Sequence, residues 1–282
     1  MLFFRILSRL PMPLLYGFSD FLFFLTFYII KYRKKVVLMN IQNSFPEKTS
    51  QEHQKLAKDF YHNLCDVIVE SLKLLTISVK DLEKMVEING QEVIDECLRN
   101  NEVMLIMSSH INCWELIPPR TTQTGVLIDV IYKPLSNPFF DKLMYTIRSR
   151  FNITPIPMKQ TFREMVKKKG QPRIVGIISD QAAETPDLAY WTTFLHQETD
   201  FFLGTEKMAR SFNYPILYGE LVRKRRGKYV INYSLLVERP YDQYQLGEIT
   251  EIYARTLEKS IQENPSDWLW SHRRFKHKRV NK

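Results

Sequence analysis

The chain has 282 residues, 44% of them hydrophobic and 13% aromatic, and its 40 Lys plus Arg against 31 Asp plus Glu give a formal net charge of +9. That length suffices for one large domain or two small ones with a sizeable core, and the basic balance implies polyanionic company: nucleic acid, an anionic membrane surface, or phosphorylated and acidic substrates. Cys65, Cys97 and Cys113 are scattered without CxxC spacing, which argues against a secreted disulfide framework, and the absence of HExxH, Walker A, GxGxxG and GxSxG patterns removes the signatures of several large enzyme classes.

The first 35 residues are rich in Phe and Tyr, which favours membrane over nucleic acid. A spanning helix needs about 20 mainly apolar residues. Residues 10–30 reach that length only by including Asp20, Gly17 and two prolines, and the unbroken apolar run is Phe21–Ile30. Lys31, Arg33, Lys34 and Lys35 follow directly, and no small-residue cleavage motif does. Two membrane readings stand: a short transmembrane anchor with its basic flank in the cytoplasm, or a helix lying in the interface with its basic side chains on lipid phosphates. A buried helix followed by a solvated charge run is the alternative to both.

Residues 40–76 read as helical, broken at Phe45-Pro46-Glu47-Lys48, with Ser50 as N-cap of the second piece and Leu56, Phe60, Leu64, Val67, Ile68 and Leu72 at helical spacing. Residues 81–99 form a further amphipathic helix candidate. Val103–Met107, Val126–Tyr132 and Ile174–Ile178 are short continuous apolar runs, the pattern of strands buried on both faces. Helix candidates at 138–150 and 160–169 lie between them. Residues 215–223 and 228–237 flank Lys224-Arg225-Arg226-Gly227 as a hairpin, and a last helix covers 244–262. The alternation predicts an α/β fold, a single domain over 36–282 with a mostly buried mixed sheet flanked by helices, after an N-terminal membrane anchor over 1–35.

The chemistry concentrates in Ser108-Ser109-His110-Ile111-Asn112-Cys113-Trp114-Glu115. A strand ends just before His110 and a helix begins near Asn112. On one continuous helix a five-residue separation is a rotation of about 500°, which puts His110 and Glu115 on different faces. They meet only if His110 sits in the strand-to-helix turn and Glu115 in the first helical turn, at the strand's carboxyl end where α/β proteins place ligands. An imidazole, ordinarily titrating near pH 6.5, takes a proton from a hydroxyl at working pH, and a carboxylate on its other nitrogen fixes the tautomer. With a hydroxyl-bearing acceptor no Ser or Cys nucleophile is needed. A donor for the oxyanion is also required, and the sequence does not identify it. Taken alone, H-x4-E is a weak signal, and Cys113 beside it reads as a small buried cysteine.

The segment resembles the H-x4-E motif of the lysophospholipid acyltransferase superfamily, in particular the bacterial lipid A late acyltransferases, and the similarity runs along most of the chain. Tyr32 to Val37, Asn40 and Ser44-Phe45-Pro46-Glu47 are similar to that family's segment after its anchor. Ile131-Tyr132-Lys133-Pro134 with Asn137-Pro138 resembles its "YRP…NP" element, Lys133 standing for the usual Arg. Arg148 and Arg150 match the basic positions that follow, and Asp180-Gln181 the "DQ" after a buried strand. Gly204 with Ala209-Arg210, and Trp268-Leu269-Trp270 through Arg273-Arg274-Phe275-Lys276, match its C-terminal half. The departures are Asn112-Cys113 where the family has Gly-Asn, and His196 where it has Gly.

The resemblance implies a fatty acyl transfer from an acyl carrier protein or coenzyme A thioester to a hydroxyl of a phosphorylated glucosamine lipid, a lipid A precursor. His110 would be the general base oriented by Glu115, and no metal or further cofactor takes part. Lys133, Arg148, Arg150, Asp180 and Gln181 are expected at the substrate, the basic residues on phosphate. Lys133 lacks the planar fork of Arg. Membrane lipids, an acidic carrier protein and the cytoplasmic face of the inner membrane are the expected surroundings, with no nucleic acid. The rival readings are transfer to another lysolipid, glycolipid or aminolipid, a thioesterase, and a non-catalytic basic binding protein.

Overall fold

The computed structural model describes residues 1–279; residues 280–282, the end of the expected 36–282 unit, lie outside the described residues. Helices α1 (Leu2–Ser8) and α2 (Met12–Phe24), the second continued by a π-helical turn over Leu25–Ile29, lead to α3 (Lys34–Ser44) and the long α4 (Ser50–Lys73). The break between α3 and α4 falls where Pro46 predicts it. The N-cap of α4 is Thr49 and not Ser50. Its Oγ1 accepts from the Glu52 N–H at 3.3 Å while the Glu52 carboxylate accepts from the Thr49 N–H at 2.7 Å, so two backbone donors are satisfied reciprocally.

The single helix expected over 81–99 is three elements, α5 (Val79–Met85), β1 (Val86–Asn89) and α6 (Gln91–Arg99). Gly90 makes the turn between the last two at φ +74°, where an added Cβ would sit 2.0 Å from the Tyr233 carbonyl oxygen. Then strands and helices alternate: β2 (Val103–Ser108), α7 (Ile117–Thr121), β3 (Ile128–Tyr132), α8 (Pro138–Arg148), β4 (Ile153–Pro157), α9 (Thr161–Lys167) and β5 (Arg173–Ile178). A small hairpin of β6 (Tyr190–Phe194) and β7 (Gln197–Phe201), α10 (Gly204–Phe212), a long hairpin of β8 (Ile216–Arg225) and β9 (Lys228–Val237), and α11 (Glu248–Glu263) complete the chain.

Seven strands form one sheet in the order β1-β9-β8-β2-β5-β3-β4, parallel throughout except for the β8–β9 pair. The continuous apolar runs are explained by burial on both faces. Along β2, Val103, Leu105 and Met107 enter the core under α3, α4 and α11, while Met104 and Ile106 enter the one under α5 to α8. Pro155 and Pro157 are tolerated in β4 because it is an edge strand.

The β6–β7 hairpin turns through Leu195 and His196, both at positive φ, 48° and 63°. Leu195 is fully buried, so packing holds a conformation that the residue type disfavours. His196 is exposed and has no such reason to be there. His196→Gly should stabilise the protein by about 0.5–1 kcal/mol, read as a melting temperature raised by about 1–3 °C. An unchanged or lowered melting temperature would show that the turn carries no strain.

Candidate active site

His110 leaves the carboxyl end of β2, in the middle of the sheet. Its neighbour β5 runs parallel in the register Ser108↔Ile178, so two residues further along His110 stands beside Asp180. The side chains meet: His110 Nδ1 is 2.6 Å from Asp180 Oδ1, and the His110 backbone N–H donates to Asp180 Oδ2 at 2.9 Å. A third donor is the Trp268 indole N–H, 2.8 Å from the same Oδ2.

Trp268 arrives on the chain after α11, which pairs with the His110 turn. Ile111 and Trp268 form an antiparallel bridge, Leu269 N–H donates to the His110 carbonyl at 3.1 Å, and Asn112 N–H donates to the Asp267 carbonyl at 2.9 Å. Asn112 takes φ +52° with its side-chain amide on the Leu221 carbonyl, so an Asn keeps the left-handed turn expected of Gly.

Burial by itself would raise the Asp180 carboxyl, but the His110 charge and the hydrogen bonds from His110 and Trp268 hold it down at about 2. A carboxylate so held keeps the imidazole proton on Nδ1. Nε2 is then the lone-pair nitrogen, and it lies 3.3 Å from the Gln181 amide nitrogen, which can donate to it. His110 borders two shallow clefts. One, of about 210 Å³, is lined by Phe60, Asn63, Leu64 and Val67 of α4 with Trp114 and Trp268; the other, of about 150 Å³, is lined by Asp180, Gln181 and His272. Burial, with the nearby cations as smaller contributors, pushes the His272 imidazole down to about 4, so it is neutral at working pH.

The pairing of His110 with Glu115 expected from the sequence is not the one the structure makes. Glu115 lies in a 3-10 turn, Trp114–Leu116, with its buried carboxylate held by Arg148: Nε donates at 3.0 Å to Oε2 and Nη2 at 2.5 Å to Oε1. The Trp114 indole donates to Oε1 at 3.1 Å, and the Trp114 ring meets the His110 ring edge-on at 4.6 Å. Glu115 therefore reaches His110 through Trp114, while Asp180 holds it directly.

Two of the basic residues expected on phosphate are also corrected. The Arg148 guanidinium is taken up by Glu115. Arg150 donates to the carbonyls of Leu74 and, at 3.2 Å, Ile77 just beyond the end of α4, where orphan carbonyls attract a cation. Arg274, in the C-terminal signature, is fully buried on Thr199 Oγ1 at 2.7 Å and the Asp200 carbonyl at 2.6 Å. Lys133 alone of the expected three faces solvent, 2.5 Å from Glu184. Lys133 first, then Lys159 and Lys276, hold the Glu184 carboxyl below its ordinary value.

Glu115→Ala should cost about 3 kcal/mol of stability because it strands a mostly buried guanidinium. Glu115→Ala/Arg148→Ala should recover part of that loss in denaturant melts. A single variant as stable as the parent would mean that the pair is not formed.

Comparison with known proteins identifies the family. A model of the family described as bacterial lipid A biosynthesis acyltransferase matches residues 1–277. The chain is 24% identical over 271 residues to the lipid A biosynthesis lauroyltransferase of Escherichia coli (strain K12), covering 95% of this chain and 87% of the relative. It is 21% identical over 249 residues to the palmitoleoyltransferase of the same organism, 88% and 80% of the two chains, and 22% identical over 121 residues to its myristoyltransferase, 43% and 38%. A match of that extent, over the residues that build the sheet and bring His110 to its end, makes this protein an acyltransferase of the bacterial lipid A biosynthesis acyltransferase family.

Proposed function

We propose that the protein moves a fatty acyl chain from a thioester, on acyl carrier protein or coenzyme A, to a hydroxyl of a phosphorylated lipid A precursor at the cytoplasmic face of the inner membrane. The observation that carries the mechanism is the 2.6 Å contact of His110 Nδ1 with a carboxylate, which leaves Nε2 at the cleft as a base. His110 Nε2 takes the proton of the acceptor hydroxyl as its oxygen attacks the thioester carbonyl. The C–S bond breaks, the thiolate leaves, and the proton passes from Nε2 to sulfur, so the products are an ester and a free thiol. Asp180 balances the imidazolium formed between these steps. Glu115 has a supporting part, setting Trp114 against the imidazole.

Charge supports the choice of acceptor and donor. Lys133, exposed just after β3 and paired with Glu184 three positions beyond Gln181, is suited to a phosphate or to an acidic carrier. The apolar face of the N-terminal helices suits a lipid acceptor held at a membrane. The relatives' names point to lipid A, the assignment adopted here.

The test is mass spectrometry of a phosphorylated, partly acylated glucosamine disaccharide incubated with the full-length protein and acyl carrier protein thioester or acyl coenzyme A. The expected result is a gain of one acyl group with one of the donors. Transfer to a lysophospholipid or another glycolipid, with none to the disaccharide, would overturn the acceptor assignment. Release of free fatty acid at the same rate with and without acceptor would make the protein a thioesterase.

A further inference from the structure

The helix formed by α2 and its π-helical extension, Met12–Ile29, is long and apolar enough to cross a bilayer. Its two faces differ in what covers them. Leu15, Ser19, Phe23 and Phe27 recur every four residues and are buried. On the opposite side Leu14, Phe21, Phe24 and Tyr28 are 60%, 54%, 50% and 46% exposed, and Ile29 and Ile30 extend the surface. A helix apolar on both sides needs an apolar medium for the side the protein leaves bare. Arg5 and Arg9 precede this face and Lys31, Arg33, Lys34 and Lys35 follow it, which complements anionic headgroups.

The covered face is tied down by polar groups. Tyr16 donates to Glu70 at 2.8 Å, Ser19 donates to Asp66 at 2.7 Å, and Arg226 donates to Asp20 at 2.6 Å. Asp66 also accepts from Arg223 at 2.8 Å and from Arg226 at 2.7 Å. Asp20 lies at the middle of Met12–Ile29. An upright α2 would therefore carry Asp20, Asp66, Arg223 and Arg226 to the centre of the hydrocarbon, together with the Lys224–Gly227 end of the β8–β9 hairpin. Charged side chains at that depth are costly, and an open hairpin end is not tolerated against lipid.

A second apolar element lies beside the first helix. Leu135, in the loop ahead of α8, and Phe139 and Phe140, in its first turn, are 47%, 44% and 48% exposed, and the Phe139 ring is 5.8 Å from that of Phe4 in α1. Phe3, the neighbour of Phe4, is 68% exposed.

Resting on the membrane association proposed above, we infer that residues 1–30 lie along an anionic bilayer surface and do not pass through it. The outer face of α2, helix α1 and the Leu135–Phe140 turn form one immersed face, and the N-terminus stays on the same side as His110. Helix α4, which carries α2, also lends Leu64 and Val67 to the His110 cleft, so this arrangement brings the lipid surface near the base.

Arg9→Cys and Lys169→Cys, made singly in the full chain, decide the topology by reaction with a membrane-impermeant maleimide in inverted and right-side-out inner-membrane vesicles. Both positions are exposed, whereas Cys65, Cys97 and Cys113 are buried, so the parent is the blank. The expected result is labelling of both variants in inverted vesicles, at least about tenfold above right-side-out ones. Labelling of the two from opposite sides would establish a crossing and overturn the inference. Phe139→Glu/Phe140→Glu should reduce flotation with vesicles of equal parts phosphatidylethanolamine and phosphatidylglycerol several-fold, and unchanged flotation would remove the second element from the face. A protein found only in the soluble fraction would overturn the inference while leaving the acyl transfer, assayed in detergent, to stand or fall separately.

Discussion

His110→Ala is expected to lower kcat by about 10⁴-fold with KM near that of the parent, because both proton transfers use the same imidazole, and to lower the melting temperature because the buried Asp180 carboxylate loses one of its three donors. The side chain is only part-buried, packing edge-on against Trp114, and its loss opens little of the core. Single-turnover assay with acyl carrier protein thioester separates chemistry from binding. Turnover within tenfold of the parent would remove His110 from the reaction, whatever acceptor is used.

Asp180→Asn comes next, at about 10³-fold in kcat, and it distinguishes the carboxylate that holds His110 from the one five positions along the chain. The carboxylate accepts three N–H groups, from the His110 backbone, the His110 ring and Trp268. An amide of the same size has one acceptor oxygen and an NH2 that must face a donor. Whichever way it turns, either the backbone turn is disturbed or the imidazole proton moves to Nε2, which removes the base. Because Asp180 is held at about 2, its ionisation adds no step to the pH–rate profile above about pH 4. The stability it contributes is complete above its ordinary value and is lost as pH falls towards 2. Glu115→Gln should cost far less in kcat, since Glu115 acts through Trp114. The reverse ranking, with Glu115→Gln inactive and Asp180→Asn near the parent, would restore the pairing read from the sequence.

That sequence reading failed for a physical reason. Periodicity relates residues a few positions apart, so it offered Glu115 as the partner of His110. The actual partner is set by a parallel register between two strands, visible only once Val103–Ser108 and Arg173–Ile178 are placed side by side. The signal was present: both apolar runs end in a short polar segment, and in register those segments bring His110 to Asp180. Trp268, part of a familiar signature, received no role because nothing local ties residue 268 to residue 110.

The fold was legible where patterns were long. The break between α3 and α4, the buried strands β2 and β5, and the β8–β9 hairpin lie close to where the apolar runs put them. It was illegible where an element is short or breaks its own rules. β4 carries two prolines, β1 is four residues inside a helical pattern, and the β6–β7 turn has Leu195 and His196 in place of the Gly or Asn that marks a hairpin. Arg148 and Arg150 show the same limit for charge. A cation in a sequence suggests an anionic ligand, and here both were taken by partners inside the protein.

The indole at position 268 has a consequence for how the enzyme comes into being. The His110–Asp180 contact joins positions 70 residues apart, and the indole that completes the set of donors on Asp180 lies a further 88 residues on. During synthesis His110 and Asp180 emerge before Trp268, so the third N–H on the Asp180 carboxylate is supplied only after the other two are already in the chain. A chain cut ahead of Trp268 but after β9 would keep all seven strands of the large sheet and lose both the indole on Asp180 and the bridge from Ile111 to Trp268.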